Sequence, residues 1–145
     1  MARYLVVAHQ TAESDELRRR LIELAAEDSN AQFVLLVPAT PVNDLLVWEE
    51  GRSDEAAYRR TQAARDHLEA AGVHVVEAKV GDADPQAAIA DELRSDPAYA
   101  TIVVSTLPPG VSRWLRLDLP ARVRRMAPQS QVIHVVGRAR AEARP

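Results

Sequence analysis

Cysteine is absent from this sequence. That excludes a disulfide framework, a thiolate metal site and a cysteine nucleophile. Lysine occurs once, as Lys79 inside a β-forming run, so a phosphate-binding G-x-x-x-x-G-K-S/T loop is excluded too. Only five glycines are present, and the first apolar run leads into His9-Gln10-Thr11 rather than G-x-G-x-x-G. The dinucleotide fingerprint is therefore missing, and so is a G-x-S-x-G nucleophile elbow. Aromatic residues make up 4% of the chain and the net charge is −3. A nucleic-acid partner is not expected from so few rings to stack on bases and no overall pull toward phosphate. No stretch approaches the roughly 18 consecutive apolar residues of a membrane helix, so membrane insertion is not expected either. The opening Met-Ala-Arg-Tyr-Leu-Val-Val-Ala-His turns polar too early for a secretory signal, which makes a cytoplasmic protein the default.

What remains is the composition of an ordinary globular domain, with 47% hydrophobic and 27% charged residues over 145 positions. That length buries a core without staples. The charge is unevenly spread. Up to Ser112 there are 10 basic and 19 acidic residues, whereas from Arg113 onward 8 arginines face only Asp118 and Glu142. Arginine offers a planar fork suited to carboxylates and phosphates. The basic third is either an anion- or partner-facing surface, or a solvated helix face with a tail.

Strands and helices alternate along the chain. Arg3 to Ala8 and Gln32 to Pro38 are short, almost wholly apolar runs, the pattern of strands covered on both faces. Between them Ser14 caps a helix whose Leu17, Leu21, Leu24 and Ala25 form one buried stripe. A long connection, Ala39 to Arg52, carries the apolar patch Leu45-Leu46-Val47-Trp48 and reads as a flap or contact surface. Ser53 is expected to cap a helix from about Asp54 to Ala71, with Ala57, Ala64, Leu68 and Ala71 inward. Val73 to Val80 has the weaker alternation of an edge strand. Asp84 and Pro85 start a third helix with Ala88, Ile89 and Leu93 inward, ended by Asp96-Pro97. Ala100 to Ser105 and Gln131 to Val136 are the fourth and fifth strands, with a short helix started by Asp118 and Pro120 between them. The class is α/β, a single doubly wound parallel sheet over residues 1–137, followed by a mobile tail over 138–145.

Ligands of such sheets bind beyond the carboxyl ends of the strands. His9 stands at the end of the first strand, either as a binding contact or as an ordinary loop residue. His67, His74 and His134 have no metal-ligand spacing and read as core or surface residues. The strongest candidate is Ser105-Thr106-Leu107-Pro108-Pro109-Gly110-Val111-Ser112-Arg113. Ser105, Thr106 and Ser112 bring hydroxyls, Gly110 permits close backbone approach, and Arg113 brings charge. Such a loop can hold an anion through backbone amides and an arginine fork. The alternative is a rigid Pro-Pro-Gly turn with Trp114-Leu115 packed on the sheet. No catalytic set and no metal set can be named.

The chain resembles the universal stress protein family over nearly its whole length. The resemblance rests on the strand ending Val6-Val7-Ala8, on Gly81-Asp82 followed by Pro85 and Ala88-Ile89, on Thr101 to Val104, and on Arg122 to Pro128 before a final apolar strand. It implies a five-stranded parallel sheet in the order 3-2-1-4-5, helices on both faces, and a homodimer paired through the last strand. It further implies a stress- or signal-linked role and, in many members, bound ATP or AMP. The ATP-binding pattern G-x2-G-x9-G-S/T would fall on Ser105, Pro108, Asp118 and Leu119, or, shifted, on Leu107, Gly110, Pro120 and Ala121. The family's first-strand aspartate would fall on His9. The resemblance thus implies a non-catalytic protein whose crevice, lined by His9, Thr11, Pro38, Ser105, Thr106, Gly110, Ser112 and Arg113, takes a nucleotide or small anion. The alternative is a ligand-free interaction module that uses Leu45 to Trp48 and the Trp114 segment as contact surfaces.

Overall fold

The computed structural model describes residues 2–39 and 50–138. The patch Leu45 to Trp48, and the tail beyond Arg138, lie outside the described residues. Ten elements follow in order: β1 (Arg3–Val7), α1 (Asp15–Glu27), β2 (Gln32–Pro38), α2 (Glu50–Ala70), β3 (Val75–Gly81), α3 (Pro85–Ser95), β4 (Thr101–Thr106), α4 (Arg113–Arg116), α5 (Leu119–Met126) and β5 (Gln131–Val136). The strands form one sheet in the order β3-β2-β1-β4-β5. Every neighbouring pair is parallel, with Leu5 opposite Val34 on one side and Ile102 on the other. The class and strand order are those expected.

Alternation along the central strands divides the core into two layers. Tyr4, Val6, Phe33, Leu35, Val37 and Val103 face α1 and α2, where Leu17, Leu21, Leu24, Ala57, Ala64 and Leu68 meet them. Leu5, Val7, Val34, Leu36, Ile102 and Val104 face the other way, against Ala88 and Ile89 of α3, Trp114 of α4, and Leu119 and Val123 of α5. Burial on both faces explains why these strands read as continuous apolar runs. Caps mark the helix starts as the sequence predicts: Ser14 accepts from the Leu17 amide, and Asp84 from Gln86 with Pro85 at the first turn.

Two local expectations are corrected, and two details are added. Helix α2 starts at Glu50, so Ser53 lies inside its first turn and is not its cap. Strand β3 starts at Val75, leaving Val73 and His74 in the approach to it. The Trp/Arg segment forms a one-turn helix, α4, capped by Ser112 accepting from Leu115. Asp118 stands before α5 in the left-handed region, φ 58 and ψ 40, and makes no side-chain cap bond. It serves as the corner between α4 and α5, a conformation aspartate tolerates better than most side chains.

The single lysine has an internal task. Lys79 Nζ donates to Glu92 at 2.9 Å, and the Tyr99 hydroxyl donates to the same carboxylate at 2.6 Å. Arg3 pairs with Asp96 and holds its guanidinium 5.2 Å from the centre of the Tyr99 ring. Glu92 is buried, and two donors make that burial tolerable. The hydrogen bond that Lys79 donates to Glu92 raises the Lys79 pKa, while burial raises that of Tyr99.

Gly81 fixes how closely α3 approaches the sheet. A Cβ there would stand 2.9 Å from Ala88 Cβ and 2.9 Å from Leu36 Cδ1. The leucine methyl can swing aside, but the alanine cannot without moving the helix. Gly81→Ala is therefore expected to destabilise the fold by about 1–3 kcal/mol, the cost of overpacking. Urea unfolding of the two proteins measures this, and equal midpoints would contradict it.

Candidate functional site

The sheet order places the topological switch between β1 and β4, the position where parallel sheets open a crevice. The structure brings Thr11 and Ser105 together there: their hydroxyls are 2.6 Å apart and both residues are buried. Thr11 reaches this position because the turn after β1 folds back, with Ala12 donating to the His9 carbonyl and Ser14 to that of Thr11. Pro38 is buried at the end of β2, beside Gly81 of β3. It therefore lies one strand away from the Thr11–Ser105 pair.

Thr106 points to the other side. Its hydroxyl donates to the Leu107 carbonyl at 2.9 Å and lies 2.8 Å from Nε2 of His134 on β5. Which of the two donates is set by the imidazole tautomer. Burial, with Arg124 adding to it, lowers the His134 pKa.

The turn after β4 uses its own donors. Pro108 and Pro109 have no amide hydrogen. The amides of Val111 and Ser112 both donate to the Pro108 carbonyl, at 3.2 and 3.1 Å. The Ser112 hydroxyl caps α4, accepting from Leu115 at 3.1 Å. Gly110 is exposed with φ +93, and a Cβ there would meet nothing within 4 Å. Its role is thus the left-handed corner of the turn, not the close approach of a ligand. Arg113 is exposed at the start of α4.

Trp114 is buried against the sheet, at 7% exposure, so it offers no contact surface. Of the two indoles that could anchor an interaction module, it is the one within the described residues. The exposed apolar side chains of this region are instead Val111 and Leu117.

His9 is buried at the end of β1. Burial first, and the nearby Arg60 guanidinium second, push its pKa down to about 4. Arg60, on α2, was not recognisable as a site residue, because one more arginine on a helix flank carries no local signal. Among the remaining histidines, His74 is exposed with Nδ1 3.8 Å from Glu69, and His67 stays on α2 with Nε2 buried and unpartnered. An open groove of about 560 Å3 lies on the far flank of α2, lined by Glu55, Tyr58, Arg59, Val80 and Gly81. Among the described residues no three His, Asp or Glu side chains gather to hold a metal ion. No helix among them is long and apolar enough to cross a membrane.

This architecture is that of the universal stress proteins. A universal stress protein from Archaeoglobus fulgidus matches with a TM-score of 0.60 at 15% identity, over 93% of each chain. A universal stress protein in complex with cAMP matches with a TM-score of 0.56 at 22% identity, over 92% of this chain and 95% of the other. An Arabidopsis thaliana family protein with AMP bound matches with a TM-score of 0.57 at 15% identity, over 96% and 93%. No protein-family model and no curated protein matches the sequence.

The buried neutral His9 gives stability a pH dependence. Its folded pKa of about 4 lies below the ordinary value of 6.5, so the unfolded chain takes up the proton first as pH falls. The contribution is complete above pH 6.5 and is lost between there and about pH 4, amounting to about 3 kcal/mol. In a His9→Gln variant this part of the stability-versus-pH slope should disappear, as read by urea unfolding at pH 7 and 4.5. An unchanged slope, or a His9 pKa near 6.5 by NMR, would refute it.

Proposed function

We propose that the chain is a non-catalytic protein of the universal stress family that holds a nucleotide or another small anion at the carboxyl ends of β1, β2 and β4. His9, Thr11, Pro38, Ser105, Thr106, Gly110, Ser112 and Arg113 are the residues proposed to line that crevice. The observation that supports this reading most directly is the 2.6 Å Thr11–Ser105 contact, where the ends of β1 and β4 meet at the topological switch. Two structures of the same fold carry AMP and cAMP. A non-catalytic role agrees with the hydrogen bonding of Ser105 and Ser112, whose hydroxyls meet Thr11 and the Leu115 amide. Domain limits of 1–137 and a cytoplasmic setting complete the reading.

Calorimetric titration of the whole chain with AMP, ATP and inorganic phosphate tests the binding. Saturable heat with at least one of them is expected, and AMP should bind more tightly than adenosine. No heat with any of the anions would remove the binding half of the proposal.

A homodimer through β5 belongs to the same reading. Strand β5 is an edge of the sheet, with Val132 and Ile133 half-buried and Val136 41% exposed. An open edge presents unpaired backbone groups to a second strand. Light scattering coupled to size exclusion should give twice the chain mass for the wild type. It should give the single-chain mass when Val136→Lys and Ile133→Lys are combined. A wild-type monomer at micromolar concentration would contradict this arrangement.

A further inference from the structure

Helices α4 and α5 differ in charge from the rest of the molecule. Helices α1, α2 and α3 each carry more carboxylates than arginines. Helices α4 and α5 carry five arginines and no carboxylate, with Asp118 at the corner between them. Three arginines elsewhere are neutralised within their own helix: Arg18 by Asp15, Arg20 by Glu23 and Arg94 by Asp91. Arg116, Arg122 and Arg125 make no ion pair among the described residues, and all three are exposed.

The fold puts these side chains on one face. Trp114 of α4 and Leu119 and Val123 of α5 are buried in the same core layer, so the outward sides of both helices face the same solvent. At about 100° per residue, Arg125 points away from the buried stripe of α5, and Arg122 stands three positions back on the adjoining side. Arg122 Nη1 donates to Gln86 Oε1 at 3.0 Å, which directs its guanidinium toward the start of α3. The corner between the helices is held by backbone bonds. The Leu117 amide donates to the Arg113 carbonyl at 3.1 Å, Asp118 to Leu115 at 3.0 Å and Arg122 to Asp118 at 3.1 Å. On that corner the Leu117 side chain is 47% exposed.

We infer that Arg116, Leu117, Arg122 and Arg125 form a docking face for a short acidic segment of a partner protein, one that also carries an apolar side chain. Guanidinium forks match carboxylates, and Leu117 supplies an apolar contact among them. The face is narrow. Asp82 and Asp84 are exposed beside Gln86, and Asp118 is exposed at the corner. An anionic bilayer would meet those carboxylates as well as the arginines, on a chain whose net charge is −3. A peptide segment meets the arginines alone. The face is independent of the crevice, and Arg113, assigned to the crevice, stays unchanged in every variant below.

Fluorescence anisotropy of a labelled peptide of Glu-Glu-Leu repeats, titrated with the whole chain, tests this. Saturable binding is expected, weakening as salt rises and absent when glutamine replaces each glutamate of the peptide. Arg116→Glu alone, and Arg122→Glu combined with Arg125→Glu, should each weaken binding by about tenfold or more, and Leu117→Ser by about threefold. Arg19→Glu, on exposed α1, should stay within about twofold of wild type and controls for a loss of overall positive charge. Unchanged urea midpoints and unchanged AMP titrations in the variants separate a lost contact from a lost fold or crevice. No binding of the peptide by the wild type would overturn the inference. An equal loss in Arg19→Glu would overturn it too, because the attraction would then belong to no particular face. Binding to vesicles of phosphatidylcholine and phosphatidylserine but not to the peptide would replace the protein partner with a membrane.

Discussion

The pairing of β1 with β2 on one side and β4 on the other is the constraint on which the rest of the molecule depends. A strand in that central position has no solvent face, so Leu5, Val6, Val7 and Ala8 are all nearly or wholly buried. Once β1 is apolar on both sides, helices have to cover both sides, and α1 and α2 separate from α3, α4 and α5. The chain leaves β1 toward β2 on one side and arrives at β4 on the other. That divergence is the topological switch point, the place where parallel sheets open a crevice.

Around that crevice the polar groups divide into those already satisfied and those still open. Thr11 with Ser105, Thr106 with Leu107 and His134, and Ser112 with Leu115 are closed pairs that knit the strand ends to the helices. Each is a short local bond in a buried setting, where a hydrogen bond rigidifies more than it attracts. His9 is of the other kind: it is buried at the end of β1 and held neutral by burial first and by the charge of Arg60 second. Ser112 and Gly110, which look like ligand contacts in the sequence, thus also shape the turn after β4.

The fold was legible because its signals are local and repeated. Apolar runs such as Leu5 to Ala8, caps such as Ser14 and Asp84, and the stripe Leu17, Leu21, Leu24 each dictate one element by themselves. Errors fell where local rules conflict. Ser53 has the chemistry of a cap, but Glu50 to Arg52 continue helically ahead of it. Ser112 offered its hydroxyl as an anion contact in the sequence, yet it is a capping residue that starts a turn of helix. Trp114 could be read as a contact residue or as packed on the sheet, and it is one wall of the second core layer.

Residue order by itself determined the α/β class, the five strands and the two-sided burial of the central strands, since period, caps and strand–helix alternation are properties of neighbouring residues. The lone lysine, the missing cysteine and the missing glycine motifs likewise excluded chemistries without any coordinates. Tertiary structure alone decided which donors remain open. Whether Ser112 caps a helix or meets a ligand, whether Gly110 serves a corner or an approach, and whether Thr11 meets Ser105 depend on how the chain folds in space. Hydrogen-bond satisfaction is a sum over spatial neighbours, and no local pattern contains that sum.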